Sequence, residues 1–85
     1  MVNYLITILD IDSREFNLIE ASDNKVKFHT GGNKSRLTYT LNTRLNHIVC
    51  TDIHEREINE KIMNDLTYES ISEFIRGSEI KAMFN

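Results

Sequence analysis

The sequence predicts an α+β fold: an antiparallel β-meander of four or five strands (about 3–51), followed by two C-terminal helices (about 53–66 and 68–76). Three observations predict this fold. In the first part of the chain, apolar and polar residues alternate with a period of two, as in strands with one buried face. Short turn sequences separate these runs and favour antiparallel pairing, because parallel neighbours need long crossover connections. After Asp52 the apolar spacing becomes four, which is typical of an amphipathic helix.

The first two strands are predicted over residues 3–9 and 15–21. Residues 3–9 form an apolar run rich in β-branched side chains, with apolar residues on both faces, as in a central strand. Residues 15–21 place Phe16 and Leu18 on one face. The Ser-Asp-Asn sequence at 22–24 then predicts a turn, because these side chains bond to nearby backbone and tolerate left-handed conformations.

The next two strands are predicted as a β-hairpin over 25–29 and 36–41. Both arms alternate strictly, and the Gly-Gly-Asn sequence at 31–33 lies between them. A fifth strand is predicted over 45–51. The alternation directs one face of the sheet to the core, and we expect both helices to pack on this face. Its aromatic residues are Phe16, Phe28 and Tyr39.

The first helix is predicted from a capping box, in which Asp52 is followed three residues later by Glu55. Apolar residues then recur every four positions, at Ile58, Ile62 and Leu66. These two signals together predict the helix over 53–66.

The second helix is predicted to begin after Thr67, and its apolar face carries Ile71, Phe74 and Ile75. Gly77 is expected to end it, because glycine readily adopts the left-handed conformation after a helix. Residues 78–85 are expected to add one turn that is anchored by apolar residues. These anchors are Ile80, Met83 and Phe84.

Length and composition indicate one domain over residues 1–85. A chain of 85 residues has room for one hydrophobic core, and its 40% hydrophobic and 27% charged residues are ordinary for a globular protein. No apolar run approaches a membrane span, and the N-terminus lacks the features of a signal peptide. The lone Cys50 cannot form an intramolecular disulfide, which favours a reducing, cytoplasmic location. The absence of proline and the abundance of Ile and Asn are typical of an AT-rich genome, such as that of a bacterium or its phage, so the cytoplasm is expected to be that of a bacterial host.

The distribution of charge is the main indication of a partner. No acidic residue occurs between Asp23 and Asp52, whereas both flanking segments are acidic, so a net charge of −3 conceals a basic middle segment. Strand alternation is expected to gather its cations on the face opposite the core. The predicted partner-binding residues are Lys25, Lys27, His29, Lys34, Arg36 and Arg44. A cationic face that is merely solvated, or that deters edge pairing, is the alternative interpretation.

A protein partner is favoured over nucleic acid. Proteins that bind single-stranded nucleic acid commonly place aromatic side chains among their cations, so that bases stack while phosphates are neutralised. Here the alternation sends Phe28 and Tyr39 to the face opposite Lys25 and Lys27. Nucleic acid or a nucleotide therefore ranks second as a ligand of this face.

No enzymatic activity, metal or cofactor is predicted. The spacing of His47, Cys50 and His54 would align three metal ligands on a helix, but a strand at this point places His47 and Cys50 on opposite faces. A structural zinc site also requires four ligands. Cys50 lies in an apolar run, where burial makes a thiol unreactive, so it is a poor nucleophile.

In length, composition and lack of catalytic motifs the chain is similar in character to small phage-encoded proteins that block host defence enzymes. The resemblance implies an anti-defence, anti-CRISPR-like protein that binds a larger host protein or protein–nucleic acid complex. Two other hypotheses remain open at this point. One is nucleic-acid or nucleotide binding through the basic hairpin. The other is a structural protein that forms a homodimer through its helices or through an open strand edge at 45–51.

Overall fold

The computed structural model of the protein describes residues 16–30 and 37–84. The predicted strand at 3–9 and the predicted turn at 31–33 lie outside these residues. The same is true of two predicted partner-binding cations, Lys34 and Arg36. The fold is therefore discussed below for the described residues.

Five antiparallel strands and one helix make up the described fold. The elements are β1 (Phe16–Ala21), β2 (Lys25–Thr30), β3 (Thr38–Asn42), β4 (His47–Thr51), β5 (Glu57–Ile62) and α1 (Tyr68–Met83). The strand order in the sheet is β1-β2-β3-β4-β5, so each strand pairs with its neighbour in the chain. The α+β class and the antiparallel sheet are confirmed. Of the two predicted helices, the one after Thr67 is present as α1, whereas the one predicted over 53–66 is not, so the described residues after Thr51 form β5 and a single helix.

The core lies between the sheet and α1. On β2 and β3 the buried residues alternate with partly exposed ones, as the period of two predicts, and Val26 and Tyr39 are 0% exposed. The Phe28 and Tyr39 rings stack with centroids 5.4 Å apart, and Phe74 of α1 meets Tyr39 edge-on at 6.2 Å. The helix therefore packs on the face predicted from Phe28 and Tyr39.

The helix predicted over 53–66 is wrong, because this segment forms a turn and β5. A spacing of four between Ile58 and Ile62 is also two strand periods, so apolar periodicity alone does not separate helix from strand here. Pairing with β4 decides the outcome, since five residues of β5 lie in register with β4, whose Ile48 and Cys50 are fully buried. Ile58 packs partly against the core, whereas Ile62 is 70% exposed.

The predicted capping box at Asp52 is also wrong, although the Asp52 side chain does accept hydrogen bonds from nearby backbone N–H groups. Asp52 Oδ1 accepts hydrogen bonds from the backbone N–H groups of His54 and Arg56, at 2.8 and 2.9 Å. Glu55 has φ 61°, a left-handed conformation that does not occur in an α-helix. Asp52 therefore closes the turn between β4 and β5 in the manner of an Asx turn.

The helix α1 begins where the sequence predicts and ends later. Thr67 is the N-cap, and its side chain accepts a hydrogen bond from the backbone N–H of Ser70, while the Ser70 hydroxyl accepts from the Thr67 N–H. The predicted end at Gly77 is wrong, because Gly77 has a helical backbone and α1 continues to Met83. Ser78 is 0% exposed, and its burial against the sheet stabilises the continuation of the helix past Gly77.

The predicted anchoring of the tail by apolar residues is wrong. Ile80, Met83 and Phe84 are 51%, 78% and 83% exposed, so they point away from the core. Among the described residues, no helix is both long and apolar enough to cross a membrane.

The open strand edge predicted at 45–51 is wrong as well. This segment contains β4, which hydrogen-bonds to β3 on one side and to β5 on the other. A homodimer cannot form by pairing along this strand, because both of its edges are occupied. Within the described sheet, the outer strands are β1 and β5.

Candidate functional site

The candidate site is the sheet face that points away from α1, here called the polar face. Because Val26 and Phe28 are buried, their neighbours on β2 point to the opposite side. Register continues this face across β3 and β4. Its three rows are Lys25, Asn42 and His47; Lys27, Thr40 and Val49; and His29, Thr38 and Thr51.

The structure brings three of the predicted partner-binding residues together, since Lys25, Lys27 and His29 follow one another along β2 on the polar face. Arg44 lies in the exposed turn between β3 and β4, near the end of the sheet where Lys25 pairs with Asn42. Lys34 and Arg36 fall between β2 and β3, outside the described residues. The basic residues thus form a line along β2, with Arg44 beyond one end.

The edge strands bring acidic residues beside this line of cations. Lys25 Nζ lies 3.9 Å from Glu20 Oε2 of β1, and each side chain is about half exposed, so their pairing contributes little to stability. At the opposite edge of the polar face, His47 Nε2 lies 3.2 Å from Glu60 Oε1 of β5. The polar face therefore has cations on β2, neutral hydroxyl groups on β3 and carboxylates on both outer strands.

One end of the polar face contains a shallow cleft of about 270 Å³. The cleft lies beside the turn between β4 and β5, and Lys27, Thr38 and Thr51 contribute to its wall from the sheet. The Asp52 carboxylate accepts hydrogen bonds from the backbone N–H groups of Arg56 and His54 and from the Arg56 side chain. These bonds lower the pKa of the Asp52 carboxyl group, and the backbone N–H of Arg56 has the largest effect. The Asp52 carboxylate is thereby engaged within the turn, whereas Lys27 makes no ion pair with any described residue. Glu55 also lines this cleft.

His47 and Cys50 lie on opposite faces of β4, as the sequence predicts for a strand at this point. Cys50 is 0% exposed on the core face, His47 lies on the polar face, and His54 lies in the following turn. In residues 16–30 and 37–84, no three histidine, cysteine or carboxylate side chains form a group that could hold a metal ion.

Cys50 lies in a buried polar cluster with Tyr39 and Ser78. Burial raises the pKa of the Cys50 thiol and of the Tyr39 hydroxyl, so both groups are protonated near neutral pH. The Ser78 hydroxyl donates to the Phe74 carbonyl oxygen at 2.8 Å and accepts from Asn59 Nδ2 at 3.2 Å. A protonated, fully buried thiol is a poor nucleophile. The hydrogen bond between Asn59 and Ser78 in this cluster joins β5 to α1.

The sequence analysis missed the polar link between β5 and α1. Asn59 binds Ser78 through its Nδ2, and its Oδ1 accepts a hydrogen bond from Lys81 Nζ at 3.0 Å. The sequence predicts a helix around Asn59, and no local sequence pattern indicates a contact with residues about 20 positions later in the chain. The contact depends on α1 lying across the last strand.

Comparisons with known proteins add no relative: no family model, no curated protein and no solved structure matches the chain. The class that the described residues define is a small α+β protein with one helix on one face of a five-stranded antiparallel sheet.

Proposed function

We propose that this protein is a small non-enzymatic binding protein, encoded by a phage or mobile element, which inhibits a host defence protein by occupying one of its surfaces. The polar face is the binding surface in this proposal. The observation that carries it is the line of Lys25, Lys27 and His29 on a hydrogen-bonded strand in the interior of the sheet. A paired strand fixes the backbone from which these side chains project, so binding orders side chains but costs this chain little backbone conformational entropy.

A protein partner fits this face better than nucleic acid does. Phe28 and Tyr39 are 1% and 0% exposed and stack on each other inside the core, so neither ring can stack on a base. Glu20 and Glu60 on the flanking strands would also repel a continuous phosphate backbone. A protein surface can instead offer carboxylates to Lys27 and His29 and cations to the flanking acids.

The proposed mechanism is steric, with electrostatic attraction guiding the encounter. Carboxylates on a larger host protein, or on the protein part of a protein–nucleic acid complex, would meet the cations of β2 first. The hydroxyl groups of Thr38 and Thr40 would then hydrogen-bond to polar groups of the partner. Inhibition follows when the covered surface is one that the host protein needs for its own substrate.

The test is a charge reversal, Lys27→Glu, with Lys61→Glu as its matched control. Lys61 pairs with buried Ile48 and is exposed, so it lies on the other side of the sheet from Lys27. A host protein captured from nuclease-treated bacterial lysate should be retained about tenfold less by Lys27→Glu and unchanged by Lys61→Glu. Addition of the wild-type chain should also inhibit the activity of that purified host protein.

Two outcomes would contradict the proposal. Equal retention of the host protein by both variants would remove the polar face as the binding surface. A salt-sensitive shift of an oligonucleotide by the wild-type chain, abolished by Lys27→Glu, would favour the nucleic-acid hypothesis instead.

A further inference from the structure

The C-terminal half of α1 exposes an apolar patch on the side opposite the core. Ile80, Met83 and Phe84 are 51%, 78% and 83% exposed. Their spacing of three and four residues places them on one side of the helix. The buried residues of α1, which include Ile71, Ile75 and Ser78, lie on the other side. This patch is separate from the polar face, which lies across the sheet.

The patch is large enough to be an interaction surface. A large apolar or aromatic side chain presents on the order of 150–250 Å² when fully exposed, so these three present about 400 Å² on each copy. Patches of this size on a monomer are often functional. Two copies in contact would remove about 800 Å² from these side chains, which is below the roughly 1,200 Å² at which stable specific interfaces begin and in the range of weak, transient ones.

The helix surface around Ile80 is complementary in shape to the same surface of a second copy that runs in the opposite direction. Gly77 lies three positions before Ile80, and a Cβ atom added to Gly77 would meet nothing within 4 Å, so the helix surface is open there. Phe84, the C-cap residue that follows α1, is 83% exposed and lies four positions after Ile80. When two such helices pack antiparallel about a two-fold axis at Ile80, the Phe84 ring of each copy meets the Gly77 gap of the other.

We propose that a second copy of this chain binds here, through α1 packed antiparallel against its counterpart. Ile80 meets its symmetry mate at the two-fold axis, and each Phe84 fills the gap at Gly77 of the other copy. Arg76 and Met83 lie on the opposite flank, where the aliphatic part of Arg76 can cover Met83 of the other copy. The small apolar area makes this a weak dimer, with a dissociation constant in the micromolar range. This proposal does not rest on the proposed function.

The test is sedimentation equilibrium of the full chain over micromolar to millimolar concentrations. The wild type should change from monomer to dimer within this range. Ile80→Glu should raise the dissociation constant by about 100-fold or more, because it places two carboxylates against each other at a desolvated axis. Ile53→Glu is the matched control, since Ile53 is 70% exposed in the turn between β4 and β5, and it should leave the dimer unchanged.

A second variant tests the arrangement of the helices. Gly77→Ala adds a methyl group where Phe84 of the other copy is expected, so it should raise the dissociation constant by about tenfold, while its urea midpoint at low concentration stays at or above that of the wild type. A strict monomer at millimolar concentration, or a dimer that Ile80→Glu leaves intact, would overturn the proposal. A dimer that Ile80→Glu dissociates and Gly77→Ala leaves intact would overturn the two-fold packing of Phe84 on Gly77.

Discussion

At the scale of single residues, two buried hydroxyl groups differ in how well they are satisfied. Ser78 both donates and accepts a hydrogen bond, and it joins α1 to β5 through Asn59. The Tyr39 hydroxyl is buried beside the Cys50 thiol and makes no hydrogen bond to a nitrogen or oxygen atom of any described residue. Because a thiol is a weak hydrogen-bonding partner, it offsets only part of the cost of burying this hydroxyl, whereas Ser78 is fully satisfied.

We therefore expect Tyr39→Phe and Ser78→Ala to change the free energy of unfolding with opposite signs. Tyr39→Phe keeps the ring that stacks on Phe28 and removes a hydroxyl whose partner among the described residues is the weak Cys50 thiol, so it should leave stability unchanged or raise it by up to about 1 kcal/mol. Ser78→Ala should lower stability by about 1–2 kcal/mol, because it leaves the amide of Asn59 without its buried acceptor. Urea unfolding followed by circular dichroism measures both, and a clear loss of stability in Tyr39→Phe would show that its hydroxyl has a strong partner.

Asp52 gives the protein a predictable dependence on pH. Its pKa is lowered in the folded state, so its contribution to stability is complete above the ordinary carboxyl pKa of about 4 and is lost as the pH falls through the lower folded-state pKa. Asp52→Asn should therefore lower the urea midpoint at pH 7, and the difference from the wild type should shrink below about pH 4.

The matched control for this prediction is Asp65→Asn. Asp65 is an exposed acid whose side chain makes no hydrogen bond or ion pair within the described part of the chain. It should leave the midpoint nearly unchanged at both pH values. A difference between Asp52→Asn and the wild type that stays constant from pH 7 to pH 2 would contradict the role assigned to the carboxylate.

At the scale of elements, the sequence predicts each described strand before residue 52 to within a few residues, because the hairpin arms alternate strictly and turn residues mark the ends of the other strands. It fails at β5, where a spacing of four fits a strand as well as a helix, and where an Asp-x-x-Glu sequence can cap a helix or close a turn. Only pairing with β4 distinguishes these possibilities, and such pairing is a non-local property. The second failure, at Gly77, has the same origin, since burial of Ser78 against β5 extends the helix.

The position of Gly77 inside α1 leads to a prediction about the helix. Gly77 has no left-handed backbone conformation, and a Cβ atom there would meet nothing within 4 Å. Gly77→Ala should therefore stabilise the monomer by about 0.5–1 kcal/mol, since alanine loses less backbone entropy in a helix. Urea unfolding at micromolar concentration of the Ile80→Glu background measures this without a contribution from self-association. A loss of stability would indicate that the helix ends at Gly77 after all.

At the scale of the whole molecule, separation of charge along the chain does not become separation of charge in space. The sequence correctly predicts that Lys25, Lys27 and His29 share a face, because alternation is a local rule. It does not show that Glu20 of β1 lies beside Lys25, or that Glu60 of β5 lies on the same face at the opposite edge of the described sheet. The candidate site could thus be predicted residue by residue on β2, whereas its acidic border required the register of β1 and β5.

The placement of α1 on one side of the sheet has a consequence for valency. The helix and the polar face lie on opposite sides of a single layer of strands, so the two surfaces cannot compete for the same space. A pair of chains joined through their helices would therefore carry two outward-facing polar faces, one at each end of the assembly. Such an assembly could engage two sites on one repetitive or oligomeric target at once, and a weak contact at each site would then give a much longer residence time through avidity.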